Sequence, residues 1–135
     1  TYSFDGTNAT GSHGDATARA HADTKWTQEE IDDNEAPEGA DTDTVKVEGL
    51  KTILIKTIKA QAEGELNKTD WYITRKSEKN TAIPSAITTH RDAVRSKQAS
   101  METAITNASD TPALETLYTR NDSGVRPLGD LPILE

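Results

Sequence analysis

One stripe of apolar residues runs through the middle of the chain at three- and four-residue spacing. Its members are Val47, Leu50, Leu54, Ile58, Ala62 and Leu66. This spacing places the six side chains on one face of an α-helix, so the pattern predicts an amphipathic helix that begins near residue 45. Gly49 and Gly64 lie inside it and each disfavours a helix by roughly 1 kcal/mol relative to alanine. Packing therefore has to hold this helix.

A second apolar stripe predicts a helix over about 84–107, where Pro84 suits the first helical position. Its inner side carries Ile87, Val94, Met101 and Ile105. Segment 69–79 lies between the two helices and has two interpretations. It forms either a new short helix capped by Thr69 or Asp70, or a bent continuation of the first helix.

A short third helix is predicted at 112–119, where Thr111 can cap and Pro112 takes the first position. Together these patterns predict a mostly α fold. A helical hairpin and the third helix occupy residues 45–119, with extended arms at 1–44 and 120–135. The predicted core is Leu50, Leu54, Ile58, Leu66, Trp71, Ile87, Val94, Met101, Ile105, Leu114 and Leu117.

The N-terminal arm contains two local signals. Tyr2 and Phe4 alternate with polar residues, which is typical of a short β-strand that needs a pairing partner. Further on, Thr27 and Glu30 have the spacing of a capping box, which predicts a short helix, and residues 34–44 then read as a linker.

The C-terminal arm ends in apolar residues that lack helical spacing: Leu128, Leu131, Ile133 and Leu134. We expect these side chains to require the surface of a partner chain.

Composition supports the expectation that part of the chain is ordered only by a neighbour. Apolar residues make up 33% of the chain, well below the ~45–50% usual for globular domains.

The net charge of −8 is unevenly distributed, with −9 in residues 1–44 and +5 in residues 46–97. This separation suggests docking between the two regions, within a chain or between subunits, although a solvated acidic segment explains it equally well. Nucleic acid is not expected as a partner, because phosphate binding needs clustered Lys and Arg.

The sequence carries no recognisable constellation for catalysis or metal binding. There is no cysteine, and His13, His21 and His90 lack the spacing of a metal site. Segment 12–15 contains the residue types of a hydrolase triad, but adjacent residues cannot adopt triad geometry. We therefore predict no catalytic residues, no metal and no cofactor, and a protein that is not an enzyme. We also expect no signal peptide and no membrane span.

The most distinctive cluster is aromatic and cationic. Trp71 and Tyr72 stand beside Arg75, and these are the residue types that anchor protein–protein interfaces. We predict that Trp71 is a structural anchor that closes the core and that Tyr72 and Arg75 are surface contacts. The full set of candidate interface residues is Tyr2, Phe4, Trp26, Tyr72, Arg75, Leu128, Leu131, Ile133 and Leu134.

The motifs Thr69-Asp70-Trp71-Tyr72, Arg75-Lys76-x-Glu78, Ile83-Pro84 and His90-Arg91-x-Ala93-Val94-Arg95 also carry a family resemblance. The pattern resembles a helical-hairpin module of small structural and tail-assembly-type proteins of tailed bacteriophages, in particular marine, cyanophage-like ones. His90 stands where Tyr is common in that pattern, and the resemblance covers residues 45–118.

The resemblance implies a non-enzymatic virion structural protein, tail- or fibre-associated, made in the host bacterial cytoplasm and located in the virion. Its partners would be other virion proteins or further copies of itself, as a homo-oligomer or multi-copy assembly. Two alternatives stay open: a capsid decoration protein and a tail or tail-fibre assembly chaperone.

Overall fold

The computed structural model describes residues 2–4, 9–11 and 19–134. Within these ranges the chain forms five α-helices and two antiparallel strand pairs, so the predicted mostly α class is confirmed. The helices are α1 (Gln28–Asp32), α2 (Leu50–Asn67), α3 (Asp70–Lys79), α4 (Ser85–Asn107) and α5 (Thr111–Tyr118). The strands are β1 (Tyr2–Phe4), β2 (Ala9–Gly11), β3 (Thr24–Lys25) and β4 (Val45–Val47).

The strand predicted at the N-terminus is present and is paired locally. In β1, Tyr2 lies opposite Gly11 of β2, and Phe4 lies opposite Ala9. The β3–β4 pair was not predicted. Thr24 lies opposite Val47 there, so Val47 belongs to a strand and not to the helix in which its spacing had placed it.

The N-terminus of α2 is capped by a segment that lies more than twenty residues earlier in the chain. The amides of Leu50 and Lys51 donate to the carbonyls of Ala20 (2.9 Å) and His21 (3.0 Å). The Asp23 carboxylate accepts from the Gly49 amide at 2.7 Å. Backbone donors that a helix start leaves unpaired are thus satisfied.

Gly49 makes this close approach possible. A Cβ at this position would lie 2.3 Å from the carbonyl carbon of Ala22. From the sequence, Gly49 is expected to destabilise the interior of a helix. In the structure it lies just before α2, where the lack of a side chain allows the backbone of the capping segment to come close.

Of two ion pairs in this region, one lies within the acidic first third and the other joins that third to β4. Lys25 pairs with Asp43 at 2.9 Å, and Lys46 pairs with Glu30. Lys46 also lies over the Trp26 ring, 4.7 Å from its centroid. One acidic side chain of residues 19–44, Glu30, is therefore paired with the basic middle of the same chain, which is one of the arrangements that the sequence left open.

The ion pair between Lys46 and Glu30 predicts that this part of the fold is sensitive to acid. The ion-paired hydrogen bond from Lys46, helped by the Thr27 amide, lowers the pKa of Glu30 from its ordinary 4.5 to about 2. A carboxyl group whose folded pKa is lowered stabilises the fold above its unfolded pKa and loses this effect as the pH falls through the folded value. We expect the fluorescence of Trp26, measured in a Trp71→Phe background, to change between pH 4.5 and 2.

Glu30→Gln should remove most of that acid transition, whereas Glu29→Gln, a change at an exposed neighbour, should leave it intact. An unchanged titration curve in Glu30→Gln would show that another group controls the docking.

The hydrophobic core lies between α2 and α4 and is closed by α5 and the C-terminal segment. Its buried residues are Ile58, Met101, Ile105, Ala108, Leu114 and Leu128, with Leu50, Leu54 and Leu117 partly buried against them. Ala62, Ile87 and Val94 are also buried. Most of the predicted core is confirmed, and Ala62 is buried as its place in the apolar stripe indicates. The predicted core did not include Ala108 and Leu128.

Helix α3 is a separate helix, which resolves the two interpretations of segment 69–79. Thr69 is fully buried at the junction between α2 and α3. Arg91 of α4, only 7% exposed, donates from Nη1 to the Leu66 carbonyl (2.8 Å), Thr69 Oγ1 (2.7 Å) and Asp70 Oδ1 (2.9 Å). One buried guanidinium therefore holds the junction onto α4.

The C-terminal segment folds back on its own chain, which corrects the prediction that all of it needs a partner. Leu128 is 2% exposed and belongs to the core, and its amide donates to the Leu117 carbonyl at 3.1 Å. Arg120 binds both oxygens of Asp130 at 2.8 and 3.0 Å. Residues 120–134 contain no helix or strand, as expected of an extended arm, but the arm is packed at Leu128.

Candidate protein-binding surface

The most prominent exposed cluster lies on α3. Trp71 is 52% exposed, and its ring stacks on that of Tyr72 with the centroids 3.7 Å apart and an angle of 29° between the planes. The Arg75 guanidinium lies over both rings, 4.9 Å from the Trp71 centroid and 5.3 Å from that of Tyr72. Stacking and cation–π contacts hold the three side chains as one unit at the surface.

The prediction that Trp71 closes the core is wrong. The end of the α2–α4 packing is filled by Thr69 and Arg91, and α3 has no buried residue among its ten. Two hydrogen-bonded polar side chains therefore occupy the junction, and the Trp71 ring lies at the surface. Tyr72 and Arg75 are partly buried, as surface contacts beneath an exposed ring would be.

We name the α3 face from five residues: Trp71, Tyr72, Arg75, Lys76 and Lys79. Spacings of three and four positions link these residues, so they occupy two adjacent rows on one side of the helix. Lys76 and Lys79 are exposed, and none of the three cations has an ion-pair partner among the described residues. Glu78 borders the face.

The other candidate interface residues are dispersed. The side chains of Tyr2 and Phe4 lie outside the described part of the structure. Trp26 is half-buried beneath Lys46, and Leu128 is in the core. The structure therefore brings Tyr72 and Arg75 together but does not join them to the other candidates.

At the C-terminus the remaining candidates differ in exposure. Leu131 packs against the core and Leu134 is half-buried, whereas Ile133 is 73% exposed.

A buried polar pair was missed by the sequence reasoning. Nε2 of His90 on α4 lies 3.8 Å from Oε2 of Glu65 on α2, and neither atom has a hydrogen-bond partner. A hydrogen bond from Lys68, with smaller effects from the Leu134 amide and from His90, lowers the pKa of Glu65. The two residues are 25 positions apart, so no local motif could have linked them.

Within residues 19–134 the structure places no group of three or more His, Asp or Glu side chains where they could share a metal ion. No helix in this part of the chain is long and apolar enough to cross a membrane. The α3 face presents a stacked aromatic pair with a guanidinium over both rings.

Comparisons with protein-family models, with curated proteins and with solved structures find no significant match for this chain.

Proposed function

We propose that this chain is a non-enzymatic structural protein that works by packing against other protein chains, with the α3 face as its main contact surface. The observation that carries the proposal is the exposed Trp71–Tyr72–Arg75 cluster. Trp, Tyr and Arg dominate the energetics of protein interfaces. Trp and Tyr bury a large surface at a low cost in conformational entropy, and Arg adds bidentate hydrogen bonding.

The contacts of α3 within the chain support this assignment. The helix is anchored at its start by the bond between Arg91 and Asp70, and it keeps Trp71 and Ile73 at the surface, 52% and 43% exposed. A large ring that contributes little to its own fold is available to a partner. Together with the phage-type resemblance of residues 69–95, this favours a virion subunit, tail- or fibre-associated, over other structural roles.

Trp71→Ala tests the proposal. Because the ring is exposed, the substitution should lower the free energy of unfolding by about 1 kcal/mol, mostly through the lost stacking on Tyr72. Incorporation into particles of the encoding phage should fall strongly. Thermal unfolding measures the first effect, and quantitative mass spectrometry of purified particles measures the second.

Val125→Ala, which also truncates an exposed apolar side chain, is the matched control and should be incorporated normally. Absence of the wild-type chain from mature particles would eliminate a virion role and would favour the assembly chaperone. Recovery of the chain from tailless capsids would indicate a decoration protein.

A further inference from the structure

A segment before α2 carries a concentration of unpaired negative charge. We name residues 29–41 the acidic segment. It carries six exposed carboxylates that form no ion pair with any described residue: Glu29, Asp32, Asp33, Glu35, Glu38 and Asp41. Glu30 is the segment's one ion-paired acid, through Lys46. The surplus charge on this segment is therefore free to act on something outside the chain.

The α3 face carries the complementary surplus. Arg75, Lys76 and Lys79 contribute three cations without an ion pair among the described residues. Arg75 is fixed over two rings, and its buried Nε has no hydrogen-bond acceptor. An arginine guanidinium can bind a carboxylate through two parallel hydrogen bonds.

Along the chain, the two surfaces lie on opposite sides of α2. The acidic segment leads into β4, which ends two residues before the start of α2 at Leu50, whereas α3 begins just after its end at Asn67. No ion pair joins the acidic segment to the α3 face among the described residues, so the two surfaces of one molecule do not neutralise each other through direct contacts.

We propose that the chain associates with itself head to tail, with the acidic segment of one copy docked on the α3 face of the next. The partner is a second copy of this chain. This deepens the proposed function and rests on it, because it names one partner for the same α3 face. Such a contact joins two different surfaces, so a bound pair still has one acidic and one cationic surface free, and the assembly grows into a ring or an open array.

The physical character of the contact follows from its residues. Opposed charges attract the copies and set their orientation, and the exposed Trp71 ring supplies apolar area that becomes buried. Charges at the surface are screened by salt, over about 10 Å at 0.1 M ionic strength and about 3 Å at 1 M. Self-association should therefore weaken steeply as salt is raised.

Sedimentation velocity of the full chain tests the proposal. Over a range of protein concentrations at about 0.05 M salt, oligomers larger than a dimer should form, and the apparent dissociation constant should rise at least tenfold at about 1 M salt. Lys76→Glu with Lys79→Glu should abolish this association. The control is Lys59→Glu with Arg95→Glu, which makes the same charge change at exposed positions outside both surfaces and should still associate.

A mixing experiment distinguishes head-to-tail contact from other kinds of association. A variant that neutralises four of the six unpaired carboxylates leaves the α3 face intact, whereas the Lys76/Lys79 variant keeps the acidic segment. The neutralising changes are Asp32→Asn, Asp33→Asn, Glu35→Gln and Glu38→Gln. Each variant alone should be monomeric. Mixed together they should form a dimer that cannot grow, since the two remaining surfaces are both lost.

Several outcomes would overturn the inference: a wild-type chain that is monomeric at every salt concentration, a Lys76/Lys79 variant that still associates, or two variants that do not combine when mixed. Far-UV circular dichroism confirms that each variant retains its helices before it is compared. A chain that is monomeric in solution yet abundant in particles would refute self-association and leave the proposed structural function standing.

Discussion

Replacing Arg91 with alanine is expected to lower the free energy of unfolding by about 3 kcal/mol, because a buried charged group that satisfies several acceptors is lost. The Arg91 Nη1 atom donates to the Leu66 carbonyl, to the Thr69 hydroxyl and to Asp70. Without it, Thr69, which is fully buried, loses a partner and the α2–α3 junction is no longer tied to α4. Thermal unfolding should shift downward by about 10 °C for a domain of this size.

The chain supplies a close control for this effect. Arg95 lies one turn further along α4, is about half exposed, and pairs with Asp92 at 3.4 Å. Arg95→Ala should change the free energy of unfolding by less than about 1 kcal/mol, as exposed ion pairs usually do. Equal unfolding temperatures for the two alanine variants would show that the Arg91 contacts do not hold the junction.

Arg91→Met separates packing from hydrogen bonding. Methionine retains an unbranched apolar side chain but offers no donor to Leu66, Thr69 or Asp70. If the hydrogen bonds dominate, Arg91→Met should be destabilised nearly as much as Arg91→Ala. A methionine variant as stable as the wild type would assign the role of Arg91 to its aliphatic part.

The helical half of the fold follows from local patterns. The stripe that contains Ile58 and the stripe that contains Val94 and Ile105 both lie on buried faces, because a 3.6-residue period records which side of a helix faces the core. The capping box at Thr27 and Glu30 also forms as predicted, since it depends on four consecutive residues. Signals that act within one or two turns can be recognised without knowledge of the fold.

Features that depend on distant residues were not predictable in the same way. Val47 has helical spacing with Leu50, but Thr24 pairs with it as a strand, and Thr24 lies 23 positions earlier. Gly49 appears unfavourable until the backbone of Ala22 is placed against it. In both cases a tertiary contact decides the conformation, and propensity or spacing gives no information about that contact.

The sequence predicted two residues of the candidate surface correctly but not the exposure of the third, Trp71. Tyr72 and Arg75 are at the surface as expected, and they share one face with Trp71. The burial expected for Trp71 rested on its size and apolarity, which describe a residue and not its neighbours. Arg91 occupies the junction instead. Arginine is rarely buried unless it is paired, so the burial of Arg91 could be predicted only from the positions of its hydrogen-bond acceptors.

Leu128 gives the second large effect. Leu128→Ala should lower the free energy of unfolding by about 2–5 kcal/mol, because the side chain is buried in the core with Leu114 and Ile105 and its truncation leaves a cavity. Ile133→Ala removes a similar amount of apolar surface from the same segment, but that side chain is exposed, so the change should stay within about 0.5 kcal/mol. Denaturant titration of both variants gives the difference directly. If Leu128→Ala were as mild as Ile133→Ala, the C-terminal segment would not be part of the isolated fold, and its apolar residues would depend on a partner chain after all.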